Sequence, residues 1–214
     1  MPIEFHFNPE KFTQAVAYVA SRCPKGMTKK KLFKLLYFAD REHLFRYARP
    51  VLNDRYINMD QGPVPTASYD LVKANRKRWS QSVIDMFSRH IEVRGMHIAI
   101  REPARTDLLS RSDISVLDEV TARYGVRSAD YLSALSHRHK AWLESQRNRR
   151  IDYSLFFDDP AVESARELVE YNQPITDISR NAAILRSAVK SSPLERSSTT
   201  GTSRATPKPK IAIS

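Results

Sequence analysis

Cysteine, glycine and long apolar runs are all scarce in this sequence. A single cysteine, Cys23, excludes an internal disulfide and any zinc site built on several cysteines. Only five glycines are present and none lie close together, so there is no glycine-rich phosphate-binding loop. No apolar run reaches the roughly 18 residues that a membrane-spanning helix needs, and the N-terminus lacks the basic flank and apolar core of a secretory signal. We therefore expect a cytoplasmic protein with no membrane partner.

Length and charge indicate one globular domain followed by a basic tail. The 214 residues are 41% hydrophobic, which is enough to bury one core. We place the domain at residues 1–175 and a Ser/Thr/Pro-rich tail, expected to be disordered, at residues 176–214. From Asn181 onward the tail has six Lys or Arg residues and one acid, so it carries +5 of the net charge of +11. The remaining body is mildly basic, which suits either nucleic acid or an acidic protein partner.

Helix start signals and apolar spacing predict a mainly α fold with a small β element (α+β). Asn8 is a typical N-cap with Pro9 at the first helical position, and Thr28 is a typical cap of a longer second helix. The wide apolar arc of the second helix predicts packing on more than one side. Its lysines are expected to turn mostly toward water: Lys29, Lys30, Lys31 and Lys34. About six packed helices are expected, starting after Asn8, Thr28, Pro65, Ser110 or Ser112, Ser128 and Pro160.

Short stretches of alternating character predict a small antiparallel β element. Residues 55–59 have the pattern of one short strand, and residues 91–94 and 97–100 flank a turn as the two strands of a hairpin. Gly62-Pro63-Val64-Pro65 cannot lie inside a helix, because two prolines remove two backbone donors and fix φ. We interpret this stretch as a rigid turn that leads into the helix starting near Thr66.

Two polar clusters contain residue types found in catalytic or metal sites. Asp40 and His43 are three residues apart on a predicted helix, so they share a face on which acid–base chemistry is conceivable. His137 and His139 diverge on a helix but lie on one side of a strand, where they could bind a metal. A polar helix face and a cationic helix C-terminus explain these clusters without any function. We therefore expect no enzymatic activity, no metal and no cofactor.

Three basic clusters have the charge that nucleic-acid binding requires. They lie at residues 29–34, at residues 73–79, where Trp79 is the interleaved aromatic, and at residues 147–150. A solvated charged face explains them more simply, and no recognition helix of the helix-turn-helix type stands out. Nucleic-acid binding stays an alternative to protein binding.

Four separate blocks resemble, in order and spacing, those of one protein family. Residues 31–40, KLFKLLYFAD, resemble its K-L-x-K-L-L-Y-F-A-D motif, and residues 54–70 resemble its D-x-Y…G-P-V-P-x-x-x-Y-D segment. Residues 116–125 and 136–142 resemble its L-D-x-V…Y-G and S/T-H…A-W parts. The family is the Panacea domain, also called the SocA-like or phage-associated domain, and the resemblance covers about residues 8–170. The motif residues are Leu32, Lys34, Leu35, Leu36, Tyr37, Asp40, Asp54, Tyr56, Gly62, Pro63, Val64, Pro65, Tyr69, Asp70, His137 and Trp142.

The resemblance implies a function that residue spacing alone does not. Panacea domains serve as antitoxins in bacterial and phage toxin–antitoxin operons, where they neutralise unrelated toxins by direct binding. In the SocA-like branch the antitoxin is an adaptor that delivers its toxin to the ClpXP protease. The family has no known catalytic centre. We therefore expect a non-enzymatic antitoxin whose partner is a cognate protein toxin, with ClpXP as a further partner in the adaptor alternative.

The first two motif blocks admit two roles. In the structural role, the apolar residues form the core, Gly62-Pro63-Val64-Pro65 locks a turn and Asp40 holds loop backbone. In the functional role, that turn forms a contact surface with Tyr37, Tyr56 and Tyr69, since a rigid turn loses little entropy on binding and tyrosine is favoured at interfaces. We favour the structural role, because a domain that binds unrelated toxins is expected to vary the surface that contacts them.

Overall fold

A computed structural model of the chain describes residues 5–23 and 26–157. Within these residues, seven α-helices and five strands are followed by a short 3-10 helix at Tyr153–Phe156. The helices are α1 (Pro9–Ser21), α2 (Lys29–Tyr47), α3 (Thr66–Val72), α4 (Gln81–His90), α5 (Arg111–Tyr124), α6 (Ala129–Ser136) and α7 (Lys140–Leu143). The strands are β1 (Met27–Thr28), β2 (Tyr56–Met59), β3 (Gly62–Pro65), β4 (Ile91–Arg94) and β5 (His97–Ile100). The mainly α fold with small antiparallel sheets is as predicted.

Four helices begin where their capping residues predict. The Asn8 side chain accepts hydrogen bonds from two backbone N–H groups in the first turn of α1, and Pro9 occupies the first helical position. Thr28, Ser110 and Ser128 accept in the same way at the starts of α2, α5 and α6. These starts are set by local sequence, because the cap satisfies donors that the helix itself leaves unpaired.

Helix α2 runs through the centre of the domain and positions most of the motif. It contacts α5, α6 and β3, and every residue from 31 to 40 is buried, so the predicted packing on more than one side is confirmed. The prediction that Lys31 and Lys34 turn toward water is wrong, because they are only 6% and 2% exposed. Their stems are covered by neighbouring elements, and their amines donate to backbone carbonyls.

Gly62-Pro63-Val64-Pro65 is a strand and not the turn that we predicted. It forms β3, which pairs antiparallel with β2 in the register Tyr56 to Pro65 and Asn58 to Pro63, and the turn lies at residues 60–61. The prolines are tolerated because the residues opposite them bond elsewhere. Tyr56 accepts from the backbone N–H of Ile151, and the backbone N–H of Asn58 donates to Arg149. The prolines therefore occupy positions where β2 requires no donor from β3.

The second sheet has three strands in the order β1, β5, β4. The predicted hairpin is confirmed, with Ile91 opposite Ile100 and Arg94 opposite His97. Strand β1, which was not predicted, adds Met27 opposite Ile98. A further backbone bond from Lys29 N–H to the Met96 carbonyl joins the start of α2 to the tip of the β4–β5 hairpin. This bond places the hairpin tip beside the lysines of α2.

Two helices were missed, and one predicted helix lies outside the described residues. Helix α4 begins after Ser80 and buries Ile84 and Phe87 at helical spacing, a signal that we overlooked, whereas α7 has four residues and is too short to show a period. The helix predicted after Pro160, the domain boundary near 175 and the tail at 176–214 all fall outside the described part of the chain. Across the described residues, no helix is both long and apolar enough to cross a membrane.

Candidate functional site

The apolar motif residues of α2 lie in the core. Leu32, Leu35, Leu36 and Tyr37 are at most 1% exposed. The hydroxyl of Tyr37 lies 3.0 Å from Nδ1 of His139, which links α2 to the segment after α6. None of these side chains offers a surface to a partner, so they position other residues.

Asp40 ties the loop after α2 to the helix. Its carboxylate is fully buried and accepts hydrogen bonds from the backbone N–H of Leu52 at 2.9 Å and the hydroxyl of Tyr56 at 2.8 Å. Burial raises the pKa of Asp40 to about 7, although both hydrogen bonds oppose the rise. The arrangement fixes where β2 starts relative to α2.

Asp54 performs a similar task for α3. It accepts from the backbone N–H groups of Ala67 (2.9 Å) and Ser68 (2.8 Å), and from the Ser68 hydroxyl (2.6 Å). Pro65 precedes α3 and makes no side-chain cap bond, so Asp54 supplies the missing acceptor from a distance. Burial raises the pKa of Asp54, and these hydrogen bonds act against the rise. At the other end of α3, Asp70 accepts from the Asn75 side chain at 3.1 Å.

Lys34 sits beneath the β2–β3 hairpin and holds it from below. Its amine donates to the Pro63 carbonyl at 3.0 Å. Burial, reinforced by the charge of Lys30, lowers the pKa of Lys34 to about 7. A lysine in this position is a fixed element of the fold and not a mobile surface charge.

Gly62 allows the hairpin to approach Lys34 and α6. Its φ is +94°, and a Cβ on it would lie 2.5 Å from the Lys34 amine and equally close to the Ser136 hydroxyl. Any side chain at this position would therefore displace both neighbours. Pro63 and Pro65 are buried beside it.

His137 and Trp142 close the hairpin from the other side. Their rings stack with centroids 4.1 Å apart and an interplanar angle of 16°, and the indole N–H of Trp142 donates to the Met59 carbonyl at 3.1 Å. Burial and the charge of Lys34 lower the pKa of His137. Motif residues as far apart in sequence as Lys34 and Trp142 thus converge on one hairpin.

An open groove of about 490 Å³ lies where α2, the β2–β3 hairpin, α3 and the tip of the β4–β5 hairpin meet. Its apolar lining consists of Phe33, Met59, Val64, Tyr69, Val72 and Met96. Its charged lining consists of Lys29, Lys30, Lys34, Lys73 and Asp60. We call this feature the lysine-rimmed groove. Three of the predicted motif residues reach it, namely Lys34, Val64 and Tyr69, and the other motif residues do not line it.

The rim of the groove carries more positive than negative charge. Lys30 reaches Asp130 at 2.7 Å, but this acid is 89% exposed, so the pair is a weak surface contact. The Lys73 amine lies 4.4 Å above the ring of Tyr69. Asp60 accepts a hydrogen bond from Nε of Arg147 at 2.6 Å, and this pair is also an exposed surface contact.

The two clusters with catalytic residue types are engaged within the fold. His43 is fully buried, with Nδ1 2.7 Å from the Arg49 carbonyl and Nε2 3.0 Å from the Ser112 hydroxyl, and burial lowers its pKa to about 4. It shares no partner with Asp40. His137 and His139 contact Trp142 and Tyr37 respectively, and within the described ranges no three His, Cys, Asp or Glu side chains gather as metal ligands.

The basic clusters do not behave as one surface. Trp79, the aromatic residue expected to stack on a base, packs on Phe7 at 5.7 Å and donates its indole N–H to the Ala67 carbonyl at 3.3 Å. Lys31 donates to the Gly125 carbonyl at 2.5 Å from a buried position. These contacts remove an aromatic platform and one cation from the pattern that favoured nucleic acid.

The groove residues Met59 and Met96 were missed as candidates by sequence reasoning, whereas Lys73 was considered only as part of a basic cluster. Each methionine adjoins a hairpin turn, and this position is the one local signal in the sequence that could have drawn attention to it. The groove as a whole has no local signal, because it is assembled from four elements.

Comparison with known proteins identifies the region that contains this site. A family model described as antitoxin SocA-like, Panacea domain matches residues 32–143. These residues span α2 to α7 and include every residue that lines the groove except Lys29, Lys30 and Asn148. No curated protein and no solved structure gives a significant match to the chain.

Proposed function

The chain belongs to the SocA-like, Panacea-domain family of antitoxins, and from this premise we propose that it neutralises a co-encoded protein toxin by binding it directly. The match over residues 32–143 is the observation that carries the proposal. We propose further that the protein acts in the cytoplasm, where a co-encoded toxin would be made, and that it acts without catalysis.

The use of the polar motif residues supports a binding function. Asp40, Asp54 and Lys34 are buried and bonded to backbone of the same domain. These internal hydrogen bonds make the domain rigid, and a rigid domain loses little conformational entropy when it binds a partner. The lysine-rimmed groove adds an exposed apolar surface, which is typical of protein-binding sites.

The decisive experiment is co-expression with the products of the adjacent genes. We expect one of these products to arrest growth when expressed alone, to be tolerated when this chain is present, and to co-purify with it at a fixed ratio. If none is toxic, or if none is rescued by this chain, the proposal is wrong.

The same system separates the two alternatives. Delivery to ClpXP predicts that the toxin's half-life lengthens when ClpX is deleted, whereas neutralisation by binding predicts rescue that does not depend on ClpX. A nucleic-acid-binding regulator predicts retardation of its operator DNA that weakens steeply with salt. Rescue without ClpX and without a DNA shift at low salt supports direct neutralisation.

A further inference from the structure

We propose that the lysine-rimmed groove is the partner-binding site, and that it takes a protein segment with apolar side chains flanked by aspartate or glutamate. This inference rests on the proposed function, but it makes a separate claim about which surface is used and what chemistry fits it.

The floor of the groove is shaped for apolar side chains. The rings of Phe33 and Tyr69 lie 5.7 Å apart at an angle of 46°, and Val64 and Val72 complete the floor. A groove of about 490 Å³ has room for a few side chains of a peptide segment but not for a whole domain. The partner therefore inserts a local segment, whose burial provides the hydrophobic part of the affinity.

The rim selects for negative charge on that segment. Lys29, Lys30 and Lys73 line the groove besides the buried Lys34, and among the described lining residues Asp60 is the one acid, in an exposed pair with Arg147. Acidic side chains beside the inserted apolar ones would meet Lys29, Lys30 and Lys73. Charge complementarity of this kind steers association and excludes wrong partners. The rings of the floor argue against nucleic acid, because Phe33 is only 6% exposed and the Lys73 amine covers a face of the Tyr69 ring, so neither ring is open for stacking on a base.

Two methionines at hairpin tips line the groove. Met59 is 38% exposed at the tip of the β2–β3 hairpin, and Met96 is 59% exposed at the tip of the β4–β5 hairpin. Methionine is flexible and polarisable, so it adapts to apolar surfaces of different shape. Because two such side chains line the groove, it can accept segments whose apolar side chains differ in shape.

The charge of the chain disfavours two other occupants. The sequence from Asn181 onward carries +5, and the chain as a whole carries +11. Either the tail or a second copy would bring positive charge to a positive rim. An acidic segment of a different protein is the occupant that the charges favour.

The first test measures binding of the purified full-length chain to the toxin identified by co-expression. We expect Met96→Asp to weaken binding about 100-fold, because it puts a charge at an apolar contact, and Met96→Leu to bind as the wild type does. Lys73→Glu should weaken binding about 10-fold and reduce its dependence on salt. Lys77→Glu is the matched control, since Lys77 is exposed and does not line the groove. A thermal melt of each variant separates loss of binding from loss of folding.

A photocrosslink identifies the occupant directly. We expect Met96→benzoylphenylalanine to crosslink to an Asp- or Glu-rich segment of the toxin, and Leu108→benzoylphenylalanine, at an exposed apolar residue outside the groove, not to do so. A crosslink from position 96 to the chain's own tail or to a second copy overturns the proposal, as does protection of the crosslink by duplex DNA. Wild-type rescue together with unchanged binding by Met96→Asp and Lys73→Glu rejects the groove and leaves the antitoxin function intact. Absence of rescue by the wild type rejects the antitoxin function itself.

Discussion

The two β-hairpins of this domain have the same strand lengths and opposite surroundings. In the β2–β3 hairpin, Tyr56 and Asn58 are at most 2% exposed, and side chains from α2, α6 and α7 hold the strands. In the β4–β5 hairpin, Ile91 and Ile98 are buried while the tip projects toward solvent. Both tips place a methionine at the lysine-rimmed groove. The groove therefore has one wall held by side chains of three helices, and one wall held near its tip by backbone pairing with β1 and by the bond from Lys29 to Met96.

Replacing glycine by alanine should have very different effects at Gly62, the first residue of β3, and at Gly95, in the turn between β4 and β5. Gly62→Ala puts a Cβ against Lys34 and Ser136 at a φ of +94°, so we expect a loss of about 3 kcal/mol or more in the free energy of unfolding. Gly95→Ala meets nothing within 4 Å and has only its φ of +56° to overcome, so about 1 kcal/mol is expected. Chemical denaturation measures both. Equal losses would show that the two hairpins are held alike.

Acidic residues beside the two hairpins should differ in the same direction. Asp54→Ala removes the acceptor for the first backbone donors of α3, and we expect a loss of about 3 kcal/mol because buried donors are left unpaired. Glu92→Ala removes an exposed ion pair with Arg94, and no measurable change is expected. If Asp54→Ala unfolds at the same denaturant concentration as Glu92→Ala, the buried carboxylate does not hold α3.

The amine beneath the β2–β3 hairpin should make stability depend on pH. The pKa of Lys34 is about 7 in the folded chain, compared with 10.5 for the same side chain outside the fold. Between these values the unfolded chain binds the extra proton, so stability increases as pH rises; below about 7 both states are protonated and the burial cost of the charge is fully present. We expect a gain of about 1 to 2 kcal/mol between about pH 7.5 and pH 9. This is the smallest of the three effects.

The matched variant for this effect is Lys34→Met, which keeps the length of the side chain and cannot titrate. Its unfolding free energy should show no rise over the same pH interval. Asp40 titrates near pH 7 in the opposite sense, so the difference between wild type and variant is the quantity to compare, not either curve alone. If the stability curves of wild type and variant run parallel with pH, the pKa of Lys34 does not differ between the folded and the unfolded chain.

Local sequence was sufficient for much of the fold. The caps at Asn8, Thr28, Ser110 and Ser128 fix four helix starts, because cap and first turn are neighbours along the chain. The β4–β5 hairpin followed from alternation on either side of a turn. In both cases the interacting groups are a few residues apart.

Features that depend on distant partners were not predictable in this way. Lys34 was expected to lie in water because its partner, the Pro63 carbonyl, is 29 residues later in the sequence, and local spacing does not indicate that contact. Pro63 and Pro65 were expected in a turn because proline has no N–H to donate to a neighbouring strand. They fit in β3 because Ile151 and Arg149, which are distant in sequence, bond to β2 at the positions opposite them. The groove was not predictable for the same reason, because its lining residues come from elements that are distant in sequence. The motif included only three of these residues.

The exposure of Met59 and Met96 has a consequence for how such a domain can diversify. The structural bonds near them use backbone atoms, namely the Met59 carbonyl, which accepts from Trp142, and the Met96 carbonyl, which accepts from Lys29. Exchanging either side chain leaves those bonds in place and alters the mouth of the groove. In a groove that binds a partner as we propose, mutation at these two positions would change partner choice, while selection for folding would act on residues such as Gly62 and Asp54.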